Sequence, residues 1–338
     1  MQRKKVLLIG GSLNQTKITH AVGRALSSRY DCFYSSAFCD GVLDILRKAG
    51  ALEFTVLGER LRLRSDAYLI SQNLAIDYAG NFNSYDLIVS TSDLIVQKKL
   101  SHTPVVLIQE GMTDPEDWRY SLVRYLHLPR WIAGTAANGL SDAYSYFCVA
   151  SPGYRDLFIQ KGCRPEKVVV TGLPNFDDVQ SFCKNAFHDS GYVLVATSNA
   201  RETYKPDSRQ AFIKWAIQKA AGRRMIFKLH PAENFQRARS EIQAVLPNAT
   251  IFTEGNTDHM IANCDALITQ YSTCVYVGMA LNKECHSYFD LEMLKKLMPV
   301  QNGGQSGKNI AQFCVRLLEE QVTAREKLRS IPLFGEGD

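Results

Sequence analysis

The chain lacks the long apolar runs that mark membrane-spanning and secreted proteins. No stretch of its 338 residues approaches the roughly 18 consecutive apolar residues that a membrane-spanning helix needs. The opening Met1–Lys5 is followed by only a short apolar run, which predicts a first strand and not a secretory signal. We therefore expect a cytoplasmic protein.

The chain also lacks a strong excess of charge of either sign. The formal net charge of +5 is small and dispersed along the chain, which argues against a nucleic-acid-binding protein. A mild positive balance is compatible with a phosphate-bearing ligand or with a contact to anionic lipid.

Metal-binding and disulfide patterns are missing. The nine cysteines are odd in number and form no C-x-x-C pair, so we expect buried, reduced thiols. No D-x-D motif or comparable carboxylate cluster is present, and no spaced ligand pairs indicate zinc. The sequence predicts that the protein needs no metal and no cofactor.

Short apolar runs alternate with longer amphipathic stretches, which is the pattern of parallel sheets covered by helices. Two such series in a chain too long for one core predict an α/β protein with two doubly wound Rossmann-like domains facing across a cleft. We place the first domain at 1–172, a hinge at 173–190, the nucleotide-donor domain at 191–320 and a C-terminal helix or tail at 321–338. For residues 54–82, the sequence pattern indicates no more than an insertion or a helix. The predicted strands are Val6–Ile9, Cys32–Ser35, Leu87–Ser90, Val105–Gln109, Phe147–Ala150, Val168–Thr171, Tyr192–Ala196, Met225–Lys228, Thr250–Phe252, Ala266–Thr269 and His286–Phe289.

Ligands of such sheets bind beyond the carboxyl ends of the strands. The first strand runs into Gly10-Gly11-Ser12, which either faces an acceptor or donor phosphate or is simply a tight turn. It is not a G-x-G-x-x-G dinucleotide fingerprint. The fourth strand leads to Glu110, which is either the base that deprotonates an acceptor hydroxyl or an exposed turn carboxylate or helix cap.

The second series ends its strands on polar residues too. His230 follows a buried strand and Pro231 stops it, so the histidine either binds phosphate and serves as a catalytic acid or base, or is a structural hydrogen-bonding group. Ser272 and Thr273 follow another strand, where they cap a helix or hold a phosphate. Gly255 is a weaker candidate for closing the same pocket.

The segment 118–132 mixes aromatic and aliphatic residues with three arginines and contains no acidic residue. It predicts a contact with an anionic membrane surface, which would make the protein peripheral at the inner face of the membrane. The alternatives are a helix packed on its own sheet with solvated arginines, or the contact of a homodimer.

Together these motifs resemble the glycosyltransferase-B superfamily. The order of His230-Pro231, then Asp265–Gln270, then Tyr271-Ser272-Thr273 is similar to the donor half of bacterial surface-carbohydrate transferases. Among these are the CDP-glycerol glycerophosphotransferases, with a Thr-Asp-Tyr-Ser-Ser run, and the CMP-sugar sialyl- and Kdo-transferases, with a His-Pro pair. The run Val168–Asp177 resembles a hinge that these transferases share with the UDP-GlcNAc 2-epimerases.

The resemblance implies a metal-independent, inverting transfer from a nucleotide sugar to a glycan or other hydroxyl acceptor. A CMP-sugar is favoured, and CDP or UDP are open. Glu110 and His230 would be catalytic, while Pro231, Gln270, Ser272, Thr273 and Gly255 would bind the donor. The alternatives are an epimerase-like or hydrolase-like enzyme, a polyol-phosphate transferase, and a non-catalytic scaffold.

Two residues depart from the families' motifs. Gln270 stands where the teichoic-acid enzymes have aspartate, and Gln109 replaces the first member of an acidic pair. The Asp/Glu-Gly-Gly-x-Gln-Glu pattern of the epimerases is absent from the sequence, which disfavours epimerisation.

Overall fold

A computed structural model of the chain describes residues 3–36, 39, 44–45, 49–50, 59–95, 97, 100–113, 116–126, 128–203 and 207–329. Two parallel sheets, one of six strands and one of five, organise these residues. The strands are β1 (Lys5–Ile9), β2 (Asp31–Ser35), β3 (Leu87–Ser90), β4 (Val105–Ile108), β5 (Tyr146–Val149), β6 (Val168–Val170), β7 (Val193–Ala196), β8 (Met225–Lys228), β9 (Thr250–Phe252), β10 (Ala266–Thr269) and β11 (Glu284–His286).

Helices connect the strands in both halves. The α-helices in the described ranges are α1 (Leu13–Leu26), α2 (Glu59–Ser71), α3 (Trp118–Leu126), α4 (Pro152–Gln160), α5 (Arg209–Ala220), α6 (Phe235–Val245), α7 (Thr257–Asn263), α8 (Cys274–Ala280), α9 (Leu291–Leu297) and α10 (Ser306–Arg329). Short 3-10 helices lie at Tyr78–Gly80, Arg130–Ala137, Val179–Cys183 and Arg201–Thr203.

Strand order reverses once in each sheet. The orders are β2-β1-β3-β4-β5-β6 and β11-β10-β7-β8-β9, and every pairing is parallel. The inner strands β7 and β10 are buried at every position, as strands covered on both faces must be. The fold class predicted from the sequence is confirmed. The points where the strand order reverses lie beside β1 in the first sheet and beside β7 in the second. Sheets of this kind bind ligands at these switch points.

Some elements differ from their predicted bounds. β11 pairs with β10 through Glu284–His286, so the strand predicted at His286–Phe289 begins two residues too late. The uncommitted stretch at 54–82 contains α2 and the 3-10 helix at Tyr78–Gly80, while residues 54–58 lie outside the described residues.

The last helix belongs with the first half of the molecule. α10 packs along α1 and also contacts β3. Glu319 pairs with Arg29 at 2.8 Å, and Lys4 donates to the carbonyl of Leu318. Residues 306–320, which the sequence analysis places in the second domain, pack along α1 of the first. The periodicity of a sequence predicts a helix but does not say what the helix packs against. In the structure, α10 packs on α1.

Both sheets share one continuous apolar core. Val149 of β5, in the first sheet, and Val277 of α8, beside the second sheet, belong to the same cluster of buried side chains. Tyr154 and Tyr276 join the halves through their hydroxyls, whose oxygens are 2.9 Å apart. Within the described residues, no helix has the length and apolarity to cross a bilayer.

Candidate functional site

The turns after β1 and β4 form one hydrogen-bonded unit. Ser12 donates its hydroxyl to one oxygen of Glu110 at 3.3 Å, and Gln15 donates its amide to the other at 2.7 Å. The Gln15 side-chain oxygen in turn accepts the backbone amides of Gly11 and Ser12 at 2.7 and 3.0 Å. Two predicted site elements, the glycine loop and Glu110, therefore lie together.

Gln15 was missed in the sequence reasoning although a local signal existed. Ser12 and Gln15 have the spacing of a capping box, and the structure shows both of its hydrogen bonds at the start of α1. Gly10 has a packing role, because a Cβ at that position would lie 2.7 Å from the backbone nitrogen of Thr16. The tight-turn interpretation accounts for Gly10, while phosphate binding by the loop stays a prediction.

The hydrogen bonds of Gln109 explain why a glutamine stands where the related families have the first acid of an acidic pair. Its side-chain oxygen accepts the Ala150 amide at 2.9 Å, and its nitrogen donates to the Gly111 carbonyl at 2.7 Å. A carboxylate could accept from the first group but could not donate to the second. Gln109 therefore ties the turn that carries Glu110 to the neighbouring strand.

The two halves meet at Gly111 and Thr273. A Cβ on Gly111 would lie 3.0 Å from the Thr273 Cγ2, so the turn after β4 abuts the turn after β10. Thr273 occupies the N-cap position of α8, yet its side chain makes no capping hydrogen bond. Ser272 accepts the Cys274 amide instead, at 3.4 Å. The turn that carries the predicted donor-side hydroxyls therefore lies against the turn that carries Glu110.

His230 is held at the end of β8 by backbone and ring contacts. Its amide donates to the Glu233 carboxylate at 2.8 Å and to the Thr197 hydroxyl at 3.1 Å. The ring Nδ1 accepts the Ala232 amide at 3.1 Å, which leaves Nε2 as the protonated nitrogen. Burial and the charges of Lys228 and Arg64 lower the pKa of His230 to about 4. The ring is therefore neutral near pH 7 and can donate a hydrogen bond from Nε2.

A buried ionic network supports this histidine. Glu233 accepts from the Thr197 hydroxyl and from the Arg209 guanidinium, and all three side chains are almost fully buried. Burial raises the pKa of Glu233, while Arg209 and the Thr197 hydroxyl oppose that rise. Arg209 was not a sequence candidate, because nothing local marks a residue on α5 as a partner of the turn after β8.

Gln270 has its amide committed to neighbouring loops. Its oxygen accepts the Ser198 hydroxyl at 2.8 Å, and its nitrogen donates to Asp207 at 2.6 Å. An aspartate could not donate to Asp207, which explains why glutamine suits this chain. These contacts place Gln270 as the support of the loop after β7. Direct donor binding by Gln270 stays a prediction.

Gly255 and the start of α7 form another wall of the second half. Gly255 has φ +100°, a backbone conformation that side-chain-bearing residues rarely adopt. Asn256 caps α7 by accepting the Asp258 amide at 2.9 Å. Burial raises the pKa of Asp258, and the charges of His259 and Lys17 oppose the rise. Lys17 lies on α1, so the two halves also approach each other here.

Arg64 and Lys17 are two further cationic side chains that the sequence reasoning missed. Both act electrostatically on groups of the second half, Arg64 on His230 and Lys17 on Asp258. They are contributed by α2 and α1, whose positions across the cleft no local pattern reveals. Among the described residues, no group of three or more histidine, cysteine or acidic side chains is placed to hold a metal ion.

Comparison with known proteins identifies the fold. No family model and no curated protein sequence matches this chain. The UDP-GlcNAc 2-epimerase from Neisseria meningitidis, bound to UDP-GlcNAc, has a TM-score of 0.59 at 12% identity, over 92% of this chain and 100% of that one. The wall teichoic acid polymerase TagF has a TM-score of 0.54 at 10% identity, over 94% and 90%. HepE from Anabaena, in complex with UDP and glucose, has a TM-score of 0.53 at 14% identity, over 94% and 100%. At these identities the likeness shows the fold, which is of the glycosyltransferase-B type.

Proposed function

We propose that this chain is a metal-independent, inverting glycosyltransferase that moves a sugar from a nucleotide-activated donor to a hydroxyl acceptor in surface-polysaccharide synthesis. The observation that supports this most is the meeting of the Glu110–Gly111 turn with Thr273. In this contact, the turn that carries a carboxylate of one half lies against the turn that carries two hydroxyls of the other. A donor sugar bound there would have a base on its acceptor side and hydrogen-bond donors on its phosphate side.

The donor phosphate would be held by His230, Ser272 and Thr273. The neutral imidazole donates from Nε2, and the hydroxyl of Thr273 makes no capping bond. Lys17 and Arg64 add positive charge from the opposite wall. Charge that develops on the departing nucleotide would be stabilised by these groups, which takes the role that a metal ion has in other transferases.

In the reaction that we propose, the acceptor oxygen attacks the anomeric carbon as its proton passes to Glu110. The bond between the anomeric carbon and the phosphate oxygen breaks, and its electron pair leaves with the nucleotide. Ser12 and Gln15 hold the carboxylate in place for this transfer. A positioned general base of this kind contributes about 10² to 10⁴ in rate.

A nucleotide-sugar 2-epimerase is the second candidate. It is favoured by the overlap with the Neisseria epimerase across most of both chains. The missing Asp/Glu-Gly-Gly-x-Gln-Glu pattern disfavours it. Product analysis without acceptor separates the two, since an epimerase alters the sugar of its substrate in the absence of any hydroxyl acceptor.

The first test is a thermal-shift screen with CMP, CDP, UDP, GDP and ADP. A nucleotide at about 100 times its dissociation constant stabilises the folded chain by about 2.7 kcal/mol, which raises the midpoint visibly. We expect one nucleotide to stabilise the parent and to lose much of this effect in Thr273→Val. Thr250→Val, an exposed threonine of β9, is the matched control and should behave as the parent. Stabilisation by none of the nucleotides would contradict the proposed donor site.

The same screen leads to a test of the base. Glu110→Gln keeps the size of the side chain and should leave the nucleotide-induced shift intact. We expect sugar transfer to fall by about 10² to 10⁴. Transfer within about threefold of the parent would exclude Glu110 as the base, and nucleotide binding without any transfer in the parent would favour a scaffold.

A further inference from the structure

Exposed apolar side chains concentrate on one short segment of the first half. Of the fourteen large hydrophobic side chains that the described residues expose, five lie between positions 118 and 131. We call these five the outer face of α3, although the last lies in the following 3-10 helix: Trp118, Leu122, Tyr125, Leu126 and Trp131. Trp118 is 73% exposed and Tyr125 is 83% exposed.

The outer face is not needed to hold α3 in place. Tyr120 and Val123, on the inner side, are buried in a cluster with the alanines of the following 3-10 helix. Trp118, Leu122 and Tyr125 are spaced four and seven residues apart, which places them together on the other side. The helix is therefore packed on the protein through one apolar face and presents a second one outward.

The segment that carries the outer face is itself positively charged. The stretch 118–132 has three arginines and no acidic residue, and the Arg124 side chain is exposed. The two acids just before it are engaged, since Glu116 lies 3.4 Å from the Lys161 ammonium and Asp117 accepts the Tyr120 amide. Tryptophan and tyrosine beside arginine are the combination that favours the headgroup region of an anionic bilayer.

We propose that the outer face of α3 docks on an anionic lipid surface. A two-fold dimer through this face would bring like charges, such as Arg124, against each other, which favours lipid over a second copy of the chain.

This surface is also close to the cleft along the chain. Six residues separate Gly111 from Trp118, so their Cα atoms are at most about 25 Å apart. If the proposed function is correct, docking of α3 would present the cleft to an acceptor that is anchored in the bilayer. Lipid docking itself does not depend on that function, and the experiment reads it separately.

Tryptophan fluorescence is a direct reporter, because two of the three tryptophans lie on the outer face. The full chain is mixed with vesicles of phosphatidylcholine alone or with added phosphatidylglycerol, and binding is confirmed by co-sedimentation. We expect a blue shift and sedimentation only with the anionic vesicles at about 0.1 M salt. The binding should weaken strongly at about 1 M salt, where the Debye length is about 3 Å.

Three variants locate the surface. Trp118→Ser/Tyr125→Ser should lower vesicle partitioning at least about tenfold, since each aromatic side chain loses its apolar burial. Arg124→Gln should lower it about fivefold. Phe82→Ser removes an equally exposed aromatic, 78% exposed, from the loop before β3 and should leave partitioning unchanged.

The outcomes decide the proposal whether or not transfer activity is found. No binding to anionic vesicles, or binding that the double variant retains, would overturn it. Equal binding to neutral vesicles would overturn the charge argument. A concentration-dependent dimer in the parent that Trp118→Ser/Tyr125→Ser abolishes, without vesicle binding, would assign the face to a second copy instead.

Discussion

At the scale of single residues, burial decides what His230 can do. The ring accepts a backbone hydrogen bond at Nδ1, and Lys228 and Arg64 add positive charge to its surroundings. A proton on Nδ1 would break the bond to Ala232 and add a positive charge near Lys228 and Arg64, although Glu202 opposes their effect on the pKa of His230. The structure therefore suits a hydrogen-bond donor to phosphate better than a catalytic acid, which narrows the role expected from the sequence.

This environment predicts an acid-dependent loss of stability. An unfolded histidine has a pKa near 6.5 and the folded His230 has one of about 4, so the unfolded chain binds the extra proton between these values. The contribution is fully present above about pH 6.5 and is lost as pH falls towards 4, by up to roughly 3 kcal/mol. Urea unfolding of the parent and His230→Asn at several pH values measures it.

The variant supplies the comparison, because asparagine accepts the Ala232 amide without titrating. The stability difference between parent and variant should change with pH in this window and stay constant above it. Asp258 and Glu233, whose pKa values are raised, titrate in both proteins and cancel. A pH-independent difference would contradict the buried neutral ring.

At the scale of elements, the sequence predicts those helices and strands whose positions depend on local patterns alone. Strands such as β7 and β10 are uninterrupted apolar runs, so their positions follow from periodicity. β11 has only three residues, and its bounds are set by pairing with β10 and not by its own composition. The packing of α10 on α1 joins residues far apart in the chain, which no local pattern contains.

The candidate site divides in the same way. Strand-end reasoning pointed to Glu110, His230 and Thr273, because carboxyl ends of parallel strands meet at one edge. Lys17 and Arg64 approach the second half from helices, and their side chains become relevant only once the halves are packed. Sequence patterns therefore predict the turns of this cleft, but they do not predict the helical side chains that add positive charge to it.

The contact between two of these turns yields a prediction. Gly111→Ala would place a Cβ about 3.0 Å from the Thr273 Cγ2, so the turns must separate by a few tenths of an ångström. A misplacement of about 1 Å can cost about 100-fold in rate, so we expect a three- to tenfold loss of sugar transfer. Thermal midpoints and steady-state kinetics measure the effect.

Removal of the opposing methyl group is the control. Gly111→Ala/Thr273→Ser deletes Cγ2 but keeps the hydroxyl, and it should recover most of the lost transfer. Thr273→Ser alone should be close to the parent. A double variant no better than Gly111→Ala would mean that the close approach of the two turns is not what the substitution disturbs.

At the scale of the whole molecule, the two halves are joined by more than a linker. One apolar core runs through both, α10 returns to the first half, and Ser151 beside α4 donates to the Leu297 carbonyl of α9 at 3.0 Å. Gly153 continues this contact, because any Cβ there would collide with the Lys296 carbonyl. We therefore expect the halves to unfold together, as one cooperative unit.

The pair Tyr154–Tyr276 tests this coupling. Both side chains are at most 2% exposed, and their hydroxyls share a hydrogen bond across the boundary between the halves. Tyr154→Phe removes the partner of a buried Tyr276 hydroxyl, which costs about 1–3 kcal/mol. Removing both hydroxyls in Tyr154→Phe/Tyr276→Phe leaves neither hydroxyl without its partner, so the double variant should cost less than the sum of the singles. Urea unfolding followed by fluorescence and circular dichroism should show single, coincident transitions in all four proteins. Additive losses would mean that the hydroxyls do not stabilise each other, and separate transitions would mean that the halves fold independently.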